Sequence, residues 1–182
     1  MWNEGKCTGA VAAFNVQGAT WSRVQRKFVK LVHSPPQVLA TVSPADVDTY
    51  RKHPAAARFV THVDSTGEIK VLSRDEGLPL VLDPSESEMV TIAPLRLVGD
   101  VEMAAIGLKE LLNTGFAVRA VREVAGGLDI QVKGSGTLLV FASSRPKSVV
   151  VNGGQVSAPY QPDVGLLSVP LPELESSVTI TA

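Results

Sequence analysis

Turn-forming residues divide this chain into short segments, and no regular helical pattern lies between the turns. The 182 residues include 12 proline and 15 glycine, while charged residues make up only 19%. Short apolar or alternating segments, such as residues 38–42 and 137–142, lie between the turns. Short strands separated by frequent turns are typical of antiparallel β-sandwiches. We therefore predict an all-β protein, an antiparallel β-sandwich with at most one or two short helical segments, forming a single domain over residues 1–182.

Two hairpins give the clearest local predictions. Residues 58–63 and 68–73 both alternate between apolar and polar side chains, and the four residues between them form a polar turn. A second hairpin is predicted over residues 149–156. Asn152-Gly153 lies at its centre and supplies the positive φ angles that a tight turn requires.

Other segments are less regular. Residues 78–82 and 88–93 are predicted to pair with each other around a proline-containing turn, and Gly134-Ser135-Gly136 is predicted to be a hairpin turn. Residues 105–115 fit neither the helical nor the strand period. Ser43-Pro44-Ala45-Asp46 has the N-cap, first-position proline and first-turn acid of a short helical turn.

Composition excludes several partner classes. Seventeen basic and 18 acidic residues give a net charge of -1, so neither nucleic-acid binding nor membrane adsorption has electrostatic support. Cys7 is the only cysteine, which excludes an internal disulfide and a cysteine-based zinc site. Because the sequence shows no signal peptide or membrane-spanning apolar run, we expect a cytoplasmic location.

Titratable side chains form no recognisable catalytic constellation. The candidates are the histidines His33, His53 and His62 and the acidic pairs Asp46/Asp48 and Glu86/Glu88. The histidines lie in no nucleophile motif and at no metal-ligand spacing. The acidic pairs fall in a helix cap and a polar turn, whereas a retaining glycosidase needs carboxylates about 5–5.5 Å apart across a sugar. We predict no catalytic, metal-binding or cofactor-binding residue.

Two tryptophans are the weak candidates for substrate binding. Trp2 and Trp21 are the side chains best suited to stacking on the face of a sugar ring. The alternative is that both pack in the core or between domains, and we favour that alternative.

One segment near the start has an ordering that strand propensity alone does not produce. Residues 14–21 read Phe-Asn-Val-Gln-Gly-Ala-Thr-Trp directly after an apolar strand. This segment resembles the one that opens the C-terminal domain of the raffinose synthase family of plants, although the family usually has cysteine at Val16 and glycine at Thr20. That family includes galactinol–sucrose galactosyltransferases, stachyose synthases, alkaline α-galactosidases and seed imbibition proteins. Further segments with family likeness, in chain order, are residues 2–6, 59–94, 106–108, 113–115, 141–147, 165–167 and 171–172.

The resemblance implies a C-terminal β-sandwich that follows a catalytic (β/α)8 barrel. The family's two catalytic aspartates are expected upstream of Met1, so no catalytic residue is carried over. The transferases of the family move a galactosyl unit from galactinol to sucrose or raffinose without a metal or redox cofactor. We therefore expect a fragment of a raffinose synthase-like galactosyltransferase that is non-catalytic alone and supports the barrel.

Other interpretations stay open at this point. The chain is alternatively a fragment of an alkaline α-galactosidase or a stand-alone carbohydrate-binding module, and an independent enzyme is the least favoured. The expected partners are the barrel, galactosyl sugars and, through an exposed apolar interface, further copies of the chain.

Overall fold

The computed structural model describes residues 2–4, 7–30, 36–52 and 56–182. These residues form antiparallel strands almost throughout. Their helical content is one α-helix, α1 (Asp48–Lys52), and two 3-10 turns, Pro44–Asp46 and Thr114–Ala117. The prediction of an all-β fold is confirmed.

The strands of the described residues are numbered in chain order. The first nine are β1 (Trp2–Glu4), β2 (Gly9–Phe14), β3 (Ala19–Ser22), β4 (Lys27–Lys30), β5 (Val38–Val42), β6 (Arg58–Val63), β7 (Ile69–Ser73), β8 (Leu78–Leu82) and β9 (Ser87–Pro94). The remaining ten are β10 (Arg96–Val98), β11 (Val101–Leu108), β12 (Val118–Val124), β13 (Gly127–Lys133), β14 (Gly136–Ala142), β15 (Ser148–Val151), β16 (Gly154–Gln155), β17 (Tyr160–Gln161), β18 (Leu166–Leu171) and β19 (Glu175–Thr181).

These strands form three five-stranded sheets and two two-stranded ribbons. Sheet I has the order β1-β2-β9-β6-β7, sheet II the order β10-β11-β14-β18-β17, and sheet III the order β12-β13-β19-β15-β16. The ribbons are β3-β4 and β5-β8. Neighbouring strands are antiparallel in all three sheets, as the short connections predict.

Sheets II and III pack face to face and enclose the main hydrophobic core. Leu138 and Val140 of β14 face this core, together with Leu128 of β13 and Ile180 of β19. Each of these four side chains is fully buried. Their alternation along each strand places the intervening residues on the opposite face of the sheet.

Sheet I covers the other face of sheet II. Leu139 and Phe141, which alternate with the core residues of β14, pack with Ile106 of β11 and with Val60 and Ala93 of sheet I. Strand β14 is therefore buried on both faces, which explains why its sequence is an uninterrupted apolar run rather than an alternating one.

A third core lies on the outer face of sheet I. Phe59 and Ile92 of sheet I pack there against Leu78 of the β5-β8 ribbon and against Val47 and Tyr50, in and beside α1. The layers therefore follow one another as ribbon and helix, sheet I, sheet II and sheet III.

Both predicted hairpins are present. β6 and β7 pair from Arg58 opposite Ser73 to His62 opposite Ile69. β15 and β16 pair around the tight turn, where Asn152 has a φ of 50° and Gly153 a φ of 82°. The helical turn predicted after Ser43 is also present as the 3-10 turn.

The predicted pairing of residues 78–82 with residues 88–93 is wrong. β8 pairs with β5, whereas β9 lies between β2 and β6 in sheet I. The burial of the two strands gives the reason. β9 has a run of four buried residues and belongs in a sheet that is covered on both faces, while β8 alternates and buries one face only, so the two strands lie in different layers.

Two further predictions are corrected. Gly134-Ser135-Gly136 joins β13 of sheet III to β14 of sheet II, so it crosses between sheets and is not a hairpin turn. The ambiguous segment begins within β11, where the pairing register shifts between Ala105 and Gly107. This β-bulge interrupts the two-residue period, which is why the segment matched no regular pattern.

Candidate functional site

The segment with the unusual ordering folds into the end of β2, a tight loop and β3. Phe14 is the last residue of β2, and the chain turns at Gly18, whose φ is 77°. β3 then pairs with β4, from Ala19 opposite Lys30 to Ser22 opposite Lys27. This ribbon is not predicted from the sequence, because each of its strands has only four residues and two of those four are polar.

Asn15 anchors the loop to the body of the protein. This side chain is buried, and its Nδ2 donates hydrogen bonds to the carbonyls of Pro36 at 3.1 Å and Leu82 at 3.0 Å. Its Oδ1 accepts a hydrogen bond from the backbone N–H of Gln17 at 3.1 Å. The backbone N–H of Asn15 donates to the carbonyl of Glu86. The polar groups of Asn15 are thus engaged in holding the loop in place.

Trp21 and Phe28 face each other across the β3-β4 ribbon. They are direct cross-strand partners, and their ring centroids lie 5.4 Å apart with the ring planes at 73°, an edge-to-face contact. Trp21 is 52% exposed and Phe28 is 72% exposed. The pair stabilises the ribbon but leaves most of both rings accessible.

A groove of about 490 Å³ lies between this ribbon and the end of β2. Its apolar lining consists of Phe14, Val16, Ala19 and Phe28, and its polar side is the turn at residues 85–87. Phe14 and Val16 are also exposed. We call Phe14, Val16, Trp21 and Phe28 the aromatic patch.

The candidate carboxylates cap turns rather than face one another. Asp46 accepts a hydrogen bond from the backbone N–H of Ser43 at 2.8 Å in a capping box, and Asp48 lies in the first turn of α1. Glu86 accepts from the backbone N–H of Asp83 at 2.8 Å, and Glu88 accepts from Ser65. Glu86 lies at the groove, but no second acid of the described residues lines it.

His62 lies in β6 and is buried. By the strand alternation its side chain shares the face of Val60, which packs towards sheet II. Burial is the main cause that lowers the pKa of His62, although Asp64 and Glu88 oppose this shift. His33 and His53 lie outside the described residues.

Among the described residues we find neither a metal-binding cluster nor a membrane-spanning helix. Over residues 7–30, 36–52 and 56–182, no three histidine, cysteine or acidic side chains cluster in a way that could hold a metal ion. No helix of the described segments has the length and hydropathy needed to cross a membrane. Cys7 is half-buried and packs against the main core.

The structure describes the side chain of Trp21 but only the backbone of Trp2. Trp21 is on the surface, next to the groove, as a sugar-stacking or domain-packing residue would be. The backbone of Trp2 lies in β1, opposite Val11 of β2, but its side chain lies outside the described part of the structure. Phe14 and Phe28 were not identified as candidates, because an apolar residue at a strand end does not reveal from the sequence whether it is covered.

Comparison with known proteins adds the decisive observation. The family model described as raffinose synthase or seed imbibition protein Sip1 matches residues 1–171. This chain belongs to that family. Three of its relatives are plant proteins. Galactinol–sucrose galactosyltransferase of Oryza sativa subsp. japonica is 32% identical over 178 residues, which cover 93% of this chain and 23% of the rice protein.

The two other relatives also match nearly the whole of this chain over a small part of their own length. Stachyose synthase of Pisum sativum is 29% identical over 188 residues, which cover 100% of this chain and 22% of the pea protein. Probable galactinol–sucrose galactosyltransferase 1 of Arabidopsis thaliana is 31% identical over 186 residues, covering 96% of this chain and 25% of that protein. The chain thus spans about a quarter of the length of the relatives it matches.

Proposed function

We propose that this chain is the C-terminal β-sandwich domain of a raffinose synthase-like galactosyltransferase and forms a single domain over residues 1–182. In this proposal it is non-catalytic alone and supports a (β/α)8 barrel that carries the chemistry. The observation that carries the proposal is the match along at least 93% of this chain to relatives of which it represents 22–25%. A cytoplasmic location is part of the same proposal.

The geometry of the acidic residues supports a non-catalytic role. Retaining glycoside chemistry needs one carboxylate as nucleophile and a second as acid and base, on opposite sides of the sugar. Asp46 and Glu86 instead accept hydrogen bonds from the backbone of their own turns. These hydrogen bonds give both carboxylates a structural role in their turns, and a catalytic role is not needed to explain their positions.

The relatives favour a transferase as the parent protein. The rice and Arabidopsis relatives are named galactinol–sucrose galactosyltransferase and probable galactinol–sucrose galactosyltransferase 1, and the pea relative is named stachyose synthase. We therefore propose galactinol as donor and sucrose as acceptor for the whole protein. A fragment of an alkaline α-galactosidase, a hydrolase of the same family, is the alternative.

A stand-alone carbohydrate-binding module ranks second. The exposed ring of Trp21 favours it, since aromatic rings stack on sugar faces. The polar groups near the groove argue against it. Asn15 uses both its amide nitrogen and its amide oxygen within the protein, and Glu86 is engaged with Asp83. The polar side chains of the groove left to bind sugar hydroxyls are those of Gln17, Ser85 and Ser87.

An experiment with the rice relative tests the proposed function. The segment of the rice enzyme that matches this chain is replaced by residues 1–182, and the chimera is compared with the rice enzyme lacking that segment. We expect the chimera to be soluble and to form raffinose from galactinol and sucrose, and the truncated enzyme to aggregate or lose activity. The isolated chain should form no raffinose.

Two results would contradict the proposal. Raffinose formed by the isolated chain would show a catalytic site within residues 1–182. A truncated rice enzyme that stays soluble and fully active would show that this domain does not support the barrel.

A further inference from the structure

We propose that the aromatic patch is the surface through which this domain docks on the barrel that precedes it in the full-length protein. This inference rests on the proposed function and extends it by naming the contact surface. The partner is the apolar outer surface of that barrel, contributed by the same polypeptide.

The composition of the patch is that of an interface centre. Phe14, Val16, Trp21 and Phe28 are all exposed. Phe14, Val16 and Phe28 line one groove, and the ring of Trp21 contacts that of Phe28. Single exposed apolar residues are ordinary, but contiguous apolar surface marks interaction sites. Aromatic residues are enriched at protein interfaces, and tryptophan is among the residues whose truncation costs most binding free energy. None of these four side chains is charged, and the carboxylate of Glu86 at the groove accepts a hydrogen bond from the backbone N–H of Asp83.

The patch is also held in a fixed shape. Phe14 belongs to β2 and lies opposite Ser87 of β9, and Asn15 holds the following loop through three side-chain hydrogen bonds. Trp21 and Phe28 restrain each other across the ribbon. A surface ordered before binding loses less conformational entropy when the partner arrives.

The direction of the chain identifies the partner. β1 runs antiparallel to β2, with Trp2 opposite Val11 and Glu4 opposite Gly9. Any polypeptide that precedes Trp2 therefore arrives from the end of β2 that carries Phe14. A barrel that precedes this domain is thus tethered at the end of β2 that carries Phe14, and this tethering raises its effective concentration beside the aromatic patch.

A second exposed apolar pair provides a matched control. Leu39 of β5 and Val81 of β8 are direct cross-strand partners, and they are 82% and 58% exposed. Like Trp21 and Phe28, they lie on a two-stranded ribbon. They do not line the groove and carry no aromatic ring, so we assign them no part in docking.

The test measures binding in trans. The full-length rice enzyme is immobilised through its N-terminus and cut at an engineered protease site ahead of its matching segment, so that the upstream part has folded in the presence of that segment. After the segment is washed off, binding of three forms of the 182-residue chain is measured by surface plasmon resonance. The forms are wild type, the double variant Trp21→Ser/Phe28→Ser, and the control Leu39→Ser/Val81→Ser. The rice enzyme's own matching segment is the positive control. Far-ultraviolet circular dichroism and thermal unfolding establish that each form is folded.

We expect the patch variant to weaken binding at least about tenfold, as loss of interface aromatic anchors does, and the control to change Kd less than about twofold. Equal binding by all folded forms overturns the docking surface but leaves the proposed function intact. If the rice segment binds and the wild-type chain does not, the proposed function itself fails.

Two other occupants of the patch give distinct results. If sedimentation shows a wild-type dimer that the patch variant lacks and that excess barrel does not dissociate, the occupant is a second copy. If raffinose changes the tryptophan emission of wild type but not of the patch variant, the occupant is a sugar. Either result overturns the inference.

Discussion

Asn15 donates a hydrogen bond through Nδ2 to the carbonyl of Leu82, 3.0 Å away and 67 residues later in the chain. This bond joins the loop after β2 to the end of β8, so a residue of the most distinctive sequence segment ties sheet I to the β5-β8 ribbon. Because the side chain is buried and makes three hydrogen bonds, replacing it removes all three and takes a donor from the buried carbonyl of Leu82.

We therefore predict that Asn15→Ala lowers the free energy of unfolding by about 3 kcal/mol. Urea denaturation followed by circular dichroism measures the change. Gln17→Ala, at an exposed position in the same loop, is the control and should change stability by less than about 0.5 kcal/mol. Equal effects at the two positions would show that Asn15 is not the anchor.

Gly107 is predicted to tolerate no side chain. Its φ is 135°, and a Cβ atom would overlap the backbone carbonyl of Thr114 and lie 2.7 Å from the Cα of Gly115. We expect Gly107→Ala to cost about 4 kcal/mol or to prevent folding, because neither the bulge nor the facing backbone can move freely.

Gly67 provides the matched comparison for this glycine. It also has a positive φ, 70°, but nothing lies within 4 Å of a Cβ atom built there. Gly67→Ala should therefore cost only the conformational strain, about 1–2 kcal/mol. Thermal unfolding of the two variants side by side tests the difference, and similar melting temperatures would refute the steric argument.

His62 should make the fold sensitive to mild acid. Burial lowers its pKa in the folded state below the ordinary 6.5, although Asp64 and Glu88 oppose the shift and Lys109 reinforces it. Its Nδ1 has no hydrogen-bond partner among the described residues. The unfolded chain therefore binds a proton more readily than the folded protein as the pH falls below about 6.5.

The sign of the effect follows from this difference in proton binding. The contribution of His62 to stability is complete above the unfolded pKa and declines as the pH drops towards the folded pKa, with a slope of at most about 1.4 kcal/mol per pH unit. Urea denaturation between pH 8 and pH 5 measures it. His62→Leu should remove this part of the slope, and an unchanged slope would assign the pH dependence to other groups.

Asn152 is predicted to stabilise sheet III through its side chain as well as its turn. Its Oδ1 accepts from the backbone N–H of Ser177 at 2.9 Å, and its Nδ2 donates to Glu173 at 2.9 Å. Asn152→Gly keeps a residue suited to positive φ but loses both bonds, so we expect a cost of about 1 kcal/mol.

Asn152→Ala loses the same bonds and adds strain at a φ of 50°. It should therefore destabilise the protein by about 1 kcal/mol more than Asn152→Gly. Chemical denaturation of both variants separates the two contributions. If the alanine variant is as stable as the glycine variant, the backbone conformation of the turn is not what selects asparagine.

The parts of the fold that the sequence predicted are those governed by local chemistry. The β6-β7 hairpin follows from alternation around a polar turn, and the β15-β16 hairpin follows from Asn152-Gly153. The pairing of β8 was mispredicted because the partner of a strand depends on which edges remain open in the assembled layers. Local sequence contains no such information.

The candidate site was only partly predictable for a related reason. Trp21 was identified because tryptophan is rare in this chain and suited to stacking. Phe28 was not, because its significance depends on the cross-strand register that places it opposite Trp21. The exposure of Phe14 likewise depends on whether the surrounding loops cover its side chain, and the position of those loops is a property of the tertiary structure.

The position of β19 in sheet III constrains the order of events during synthesis. This last strand lies between β13 and β15 and is the only described strand that connects them. While the ribosome still holds residues 175–181, β12-β13 and β15-β16 are separate hairpins, each with an open edge. The main core can close only after residues 175–181 have left the ribosome, so the nascent chain exposes two unpaired strand edges to the cell until then.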